Sequence, residues 1–194
     1  MKITKALLIS VAAISLVACS SGHGTEIEQK EFVAESQKVE EEQYTKATLT
    51  YSISSKASGY EADNESLKGK ITFTRKDGQF VMDDGQKVEN EVASYVDMVG
   101  QNVKNSLDEM STAPEGYKFK YYKAPLGFSF EYTYNADVEG LKGTMSTNAY
   151  VEFDKAGLIV KQNITNTSKY SGDVAGTKVS YSTTTTSNFT VSYK

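Results

Sequence analysis

Tryptophan is missing from this 194-residue chain, cysteine and histidine occur once each, proline twice and arginine once. A single cysteine cannot close an intrachain disulfide. One histidine and one cysteine exclude a zinc site, which gathers several such side chains. A Cys–His nucleophile system would need both, and the N-terminal stretch that holds them reads as something other than a site. Arginine is the side chain best suited to bidentate recognition of phosphate or carboxylate, and Arg75 is the sole copy. The other cations are lysines scattered among 25 acids, so there is no basic stripe for nucleic acid. Without a tryptophan platform, a glycosidase built on paired carboxylates has little support. Ser–Lys catalysis has no local motif. Asp83-Asp84-Gly85 lacks the alternating ligands of a calcium loop and reads as a plain turn. No catalytic residue, metal site or cofactor is expected.

What is present begins with the N-terminus. Lys2 and Lys5 precede "ALLISVAAISLVA", thirteen residues without a charge. A bilayer span needs ~20 apolar residues, so this run suits the core of a secretory leader. It ends in "LVAC", Leu16 to Cys19, which resembles the lipobox of bacterial lipoproteins. The resemblance implies cleavage before Cys19 and acylation of its sulfur, making Cys19 an attachment point. Two or more acyl chains, at ~0.8 kcal/mol per buried methylene, give a lasting anchor. Residues 1–18 are then a signal peptide, 19–25 the lipidated cysteine and a flexible spacer, and 26–194 one domain. Losing the leader moves the net charge from −4 to −6, since Lys2 and Lys5 leave with it. His23 falls in the spacer, where a solvated side chain is expected.

Along the domain, residues 25–44 read as a first helix, with Thr25 and Glu28 fitting a capping box and Phe32, Val33, Ser36, Val39 and Gln43 on a narrow face. Period-two alternation follows in 46–54, with Ala47, Leu49, Tyr51 and Ile53 on one side, and then in 67–73. Asp77-Gly78 signals a hairpin into a third strand at Phe80–Met82. The period then lengthens: Val88, Val92, Tyr95, Val99, Val103, Leu107 and Met110 fall three or four apart, predicting one amphipathic helix with Gly100 in its middle at a cost of ~1 kcal/mol. Five more alternating segments lie at 117–123, 126–136, 147–153, 158–165 and 177–194, with Gly157 set for the left-handed position of a turn.

Hairpin-length connections imply an antiparallel sheet with one wet face and one covered face. The expected class is α+β, mainly antiparallel β. About eight strands would form a strongly curved sheet or incomplete barrel with two helices, the mid-chain helix covering the concave face. Anchor, spacer, helix and hairpins together resemble the LolA/LppX-like envelope lipoproteins. The segments "EFVAESQKVEEEQYTKATLTYSIS" (31–54) and "YVEFDKAGLIVKQNIT" (150–165) carry the likeness. The resemblance is one of topology and implies an unclosed barrel able to hold acyl chains. It matches no family ligand residue here, and the lone arginine offers little for a lipid head group.

Tyr117, Phe119, Tyr121, Tyr122, Phe128, Phe130, Tyr132 and Tyr134 crowd into eighteen residues. They read either as cross-strand pairs under the helix or as the lining of an apolar site. Two functions follow. In the first, a membrane-anchored extracytoplasmic lipoprotein of the cell envelope binds a lipid or other hydrophobic small molecule, lined by Ile71, Phe73, Val92, Tyr95, Val99, Phe119, Phe130 and Tyr132. In the second, the core is full and the lipoprotein recognises an envelope protein through exposed strands or the acidic Glu40–Glu42 run.

Overall fold

The computed structural model describes residues 23–40, 42–59, 64–138, 141–174 and 176–194; Cys19 and the leader lie outside them. The elements run β1 (Thr25–Ile27), α1 (Gln29–Ser36), β2 (Lys46–Gly59), β3 (Glu65–Lys76), β4 (Gln79–Met82), α2 (Asn90–Ala93), a 3-10 turn (Val96–Met98) and α3 (Val103–Ser111). Then come β5 (Lys118–Lys123), β6 (Gly127–Val138), β7 (Leu141–Phe153), β8 (Ile159–Val174) and β9 (Thr177–Tyr193). Among the described residues, nine strands form one antiparallel sheet, ordered β1-β5-β6-β7-β8-β9-β2-β3-β4 and not closed.

Alternation sets the faces. Leu49 lies opposite both Ile71 and Val191, and Ala149 lies between Phe130 and Ile164. These side chains share a single core that extends from Tyr121 to Phe73 and takes in Phe32 of α1, Val92 of α2 and Val103 of α3. The opposite face carries Thr, Ser, Asn and Lys, such as Thr190, Asn163 and Lys161. Farther along the strands the inner face itself turns polar. Thr147 Oγ1 donates to Asn166 Oδ1 at 2.8 Å, and Thr183 and Ser187 are buried.

Two helices differ from expectation. The first occupies only eight residues, and Thr25 does not cap it: Thr25–Ile27 pairs with Lys123–Tyr121 of β5 as a ninth strand. Glu28 stands at the N-cap, but its side chain makes no capping hydrogen bond and pairs instead with Lys30. Phe32 is the one large side chain that α1 buries, packed on Tyr121 (5.2 Å between ring centroids) and edge-on to Phe128. Beyond Ser36, whose hydroxyl donates back to the Phe32 carbonyl at 2.7 Å, nothing apolar enough continues the helix.

The mid-chain helix is broken into α2, the 3-10 turn and α3. Every residue of its expected apolar stripe, from Val88 to Met110, does join or pack against the core. Continuity fails at Gly100, whose φ is +88°, a left-handed conformation foreign to a right-handed helix. From there the backbone bonds to the β7–β8 turn instead of to itself: Ile159 N–H donates to the Gln101 carbonyl and Val103 N–H to the Gly157 carbonyl. Asn102 restarts the helix, its Oδ1 accepting the N–H groups of Lys104 and Asn105.

Candidate functional site

Three segments remote in sequence converge at one end of the sheet: the β3–β4 hairpin, residues 96–105, and the β7–β8 turn. Between them lies a cleft of about 560 Å³, inside the ~300–1,000 Å³ range of small-molecule sites. Phe73, Phe80, Met82, Val96 and Val99 give it an apolar floor. Exposed Arg75, Gln79, Asp97 and Asn105 frame it, with Gln43 and Gln101 beside them. A smaller depression of about 390 Å³ beside α1 is walled by Val39, Ala124, Pro125, Leu126 and Phe153 together with Glu35, Lys38, Lys123, Asp154 and Lys155. The larger cleft is the better candidate because it is roomier and draws three distant segments together.

Local sequence explains the cleft. Asp77 and Gly78 both take positive φ in the β3–β4 turn, which brings Phe80 back beside β3. On the facing wall, Gly100 leaves no room for a side chain: a Cβ there would lie 2.9 Å from Phe80 Cδ2. Its N–H donates to Tyr193 Oη at 3.0 Å, and that hydroxyl donates to the Ile159 carbonyl at 3.1 Å. Tyr193 thereby ties the helical wall to β8, while its ring meets Phe80 at 5.4 Å and stacks on Tyr44 at 5.2 Å. Burial, chiefly, pushes the Tyr193 hydroxyl up to about 12. Tyr44 donates to Asp154 Oδ2 at 3.1 Å, and Asp154 Oδ1 accepts the N–H groups of Ala156 and Leu158, fixing the third wall. Burial and the neighbouring Glu42 and Asp154 hold the Tyr44 hydroxyl well above the ordinary phenol range.

The eight residues named from sequence do not surround one opening. Phe73 and Val99 line the cleft. Ile71, Val92 and Phe130 are at most 2 % exposed and belong to the filled core. Tyr95 stacks on Phe189 at 4.3 Å. Phe119 and Tyr132 belong to a separate aromatic array on β5 and β6, in which Tyr117 stacks on Tyr132 at 4.3 Å and meets Phe130 edge-on at 4.9 Å. Phe80, Met82 and Val96 also line the cleft but were not among the eight; alternation with Phe73 across the Asp77-Gly78 turn is the signal for the first two. Among the described residues no His, Cys, Asp and Glu side chains gather in the threes a metal would need.

The outer face holds a second cluster. His23 is not a solvated spacer residue: its ring packs 3.9 Å from Tyr150 and 5.1 Å from Tyr122, and both of its nitrogens are shielded without a partner. Desolvation first, then nearby Lys161, lower its pKa, against an opposing pull from Glu152. Tyr122 and Ser129 hydroxyls share a hydrogen bond at 3.1 Å, and Tyr150 donates to Glu152 Oε2 at 3.1 Å.

Comparison with protein-family models, with curated proteins and with solved structures finds no match for the chain.

Proposed function

We propose that the chain is a membrane-anchored extracytoplasmic lipoprotein, attached at Cys19, that holds a lipid or other hydrophobic small molecule without transforming it. The observation that carries this reading is the cleft of about 560 Å³ with an apolar floor. Burying an apolar ligand there would contribute roughly 25 cal/mol per Å² of apolar surface removed from water. In the same reading the sheet bends into an incomplete barrel whose concave side is covered by the helical segments. The contact between Phe80 of β4 and Tyr193 of β9 supports the bend, because their ring centroids lie 5.4 Å apart with β3 and β2 between them. Three strand spacings in a flat sheet would set those backbones roughly 14 Å apart.

One observation favours the second reading, a partner-binding lipoprotein with no ligand: Ile71, Val92 and Phe130 are packed solid. The acidic run gives it less support, since Glu42 is held by Lys155. Two measurements test the proposal. Labelled palmitate should enter the wild type and not Cys19→Ala. N-phenyl-1-naphthylamine should gain fluorescence on the protein and lose most of it with Phe80→Ala. Palmitate incorporation without any dye binding would leave the partner-binding reading standing and refute this one.

A further inference from the structure

We infer that the ligand of the cleft is an amphiphile with one anionic head group, a carboxylate or phosphate, and that Arg75 receives it. This rests on the cleft being the binding site. A single arginine offers little for a head group when read from sequence alone, but Arg75, the only one in the chain, stands at the rim of the larger cleft, beside its apolar floor of Phe73, Phe80 and Val99. Its guanidinium lies over the Phe80 ring, 5.9 Å from the centroid, and Nε donates to the Gly78 carbonyl at 3.3 Å. Ring and carbonyl hold the fork in place with one of its five N–H donors used, leaving the Nη groups for a ligand.

Among the described residues no carboxylate forms an ion pair with Arg75; lysines such as Lys104 and Lys169 form none either, so what sets Arg75 apart is a guanidinium fork at the rim of the cleft. Of the two carboxylates along the cleft, Glu42 is bound to Lys155, and Asp97 stands on the helical wall with no ion pair to Arg75. A tail on Phe73, Phe80 and Val99 would therefore place its head beside an unmatched positive charge. Because the guanidinium is exposed, salt should weaken the contact.

The test uses the chain from Ser20 onward, which contains every described element, and calorimetric titration with decanoate, decyl phosphate, decanol and inorganic phosphate. Decanoate and decyl phosphate should bind about tenfold or more tighter than decanol, as expected for a charge-assisted hydrogen bond. Raised salt should shrink that preference, and inorganic phosphate, lacking a tail, should not bind measurably. Arg75→Gln should abolish the preference, Arg75→Lys should keep part of it, and Phe80→Ala should weaken all three tailed ligands. Equal binding of decanol and decanoate, or a preference that survives Arg75→Gln, would overturn the inference while leaving the hydrophobic site intact. Failure of every tailed ligand would instead refute the site itself.

Discussion

Replacing Gly100 by alanine separates two accounts of the mid-chain segment by the sign of its effect. If residues 88–110 formed one helix, alanine would stabilise it by ~1 kcal/mol, the difference in helix propensity. In the observed structure Gly100 has φ +88°, and a Cβ would meet Phe80 at 2.9 Å. A left-handed alanine costs roughly 1–2 kcal/mol, and forcing Phe80 aside adds about 1–3 kcal/mol. Stiffening of the unfolded chain returns about 0.4–1 kcal/mol. The net expectation is a loss of roughly 1–5 kcal/mol, which for a chain of this size lowers Tm by about 2–20 °C. Urea melts of wild type and Gly100→Ala, read by circular dichroism, measure it directly. Since Phe80 would be displaced into the cleft, dye binding should weaken in parallel. An unchanged or raised midpoint would refute the broken-helix account, and with it the origin assigned to the cleft wall.

Other consequences can be checked alongside. Tyr193→Phe strips a partner from both the Gly100 N–H and the Ile159 carbonyl and should cost about 1–3 kcal/mol at neutral pH. The same hydroxyl titrates near 12 in the fold against ~10 when unfolded, so its stabilisation is complete below pH 10 and falls as pH rises toward 12. Urea melts at pH 8 and pH 11 should show the wild type losing more stability than the variant, and equal losses would refute the assignment. His23 behaves in the opposite sense: its folded pKa is depressed, so its packing is fully favourable above ~6.5 and weakens as pH falls through the lowered value. Hydrogen exchange in residues 23–27 should therefore accelerate between pH 8 and pH 5, after correction for intrinsic rates, and His23→Gln should remove that pH dependence. Phe32→Ala should cost about 3–5 kcal/mol, because α1 rests on that ring; a loss below 1 kcal/mol in a denaturant melt would show that α1 is held some other way.

Sequence made the strands legible because each has one covered and one wet face, so Ala47, Leu49 and Tyr51 announce their side by simple alternation. It also identified the correct face of the mid-chain segment, since Val92, Val103 and their companions do turn inward. Continuity was hidden because helix propensity counts Gly100 as a small penalty, whereas here its backbone is claimed by Tyr193, remote in sequence. The strand Thr25–Ile27 was hidden too: three residues carry almost no periodicity, and Thr25 with Glu28 imitates a helix start. The cleft depends on convergence of three distant segments; Asp77-Gly78 and Gly157 marked two of them as turns, but nothing local announced that they meet the broken helix. Packing of His23 on Tyr150 likewise joins residues far apart in the chain, with no local pattern to announce it.

The account rests most heavily on the cleft being occupied in the cell. Protein purified after expression with its own leader, then extracted with organic solvent and analysed by mass spectrometry, addresses this directly. The expected result is a non-covalent lipid at close to one per chain from the wild type and far less from Phe80→Ala. Wild-type protein that yields no bound lipid, and gains none when incubated with envelope lipids, would contradict it.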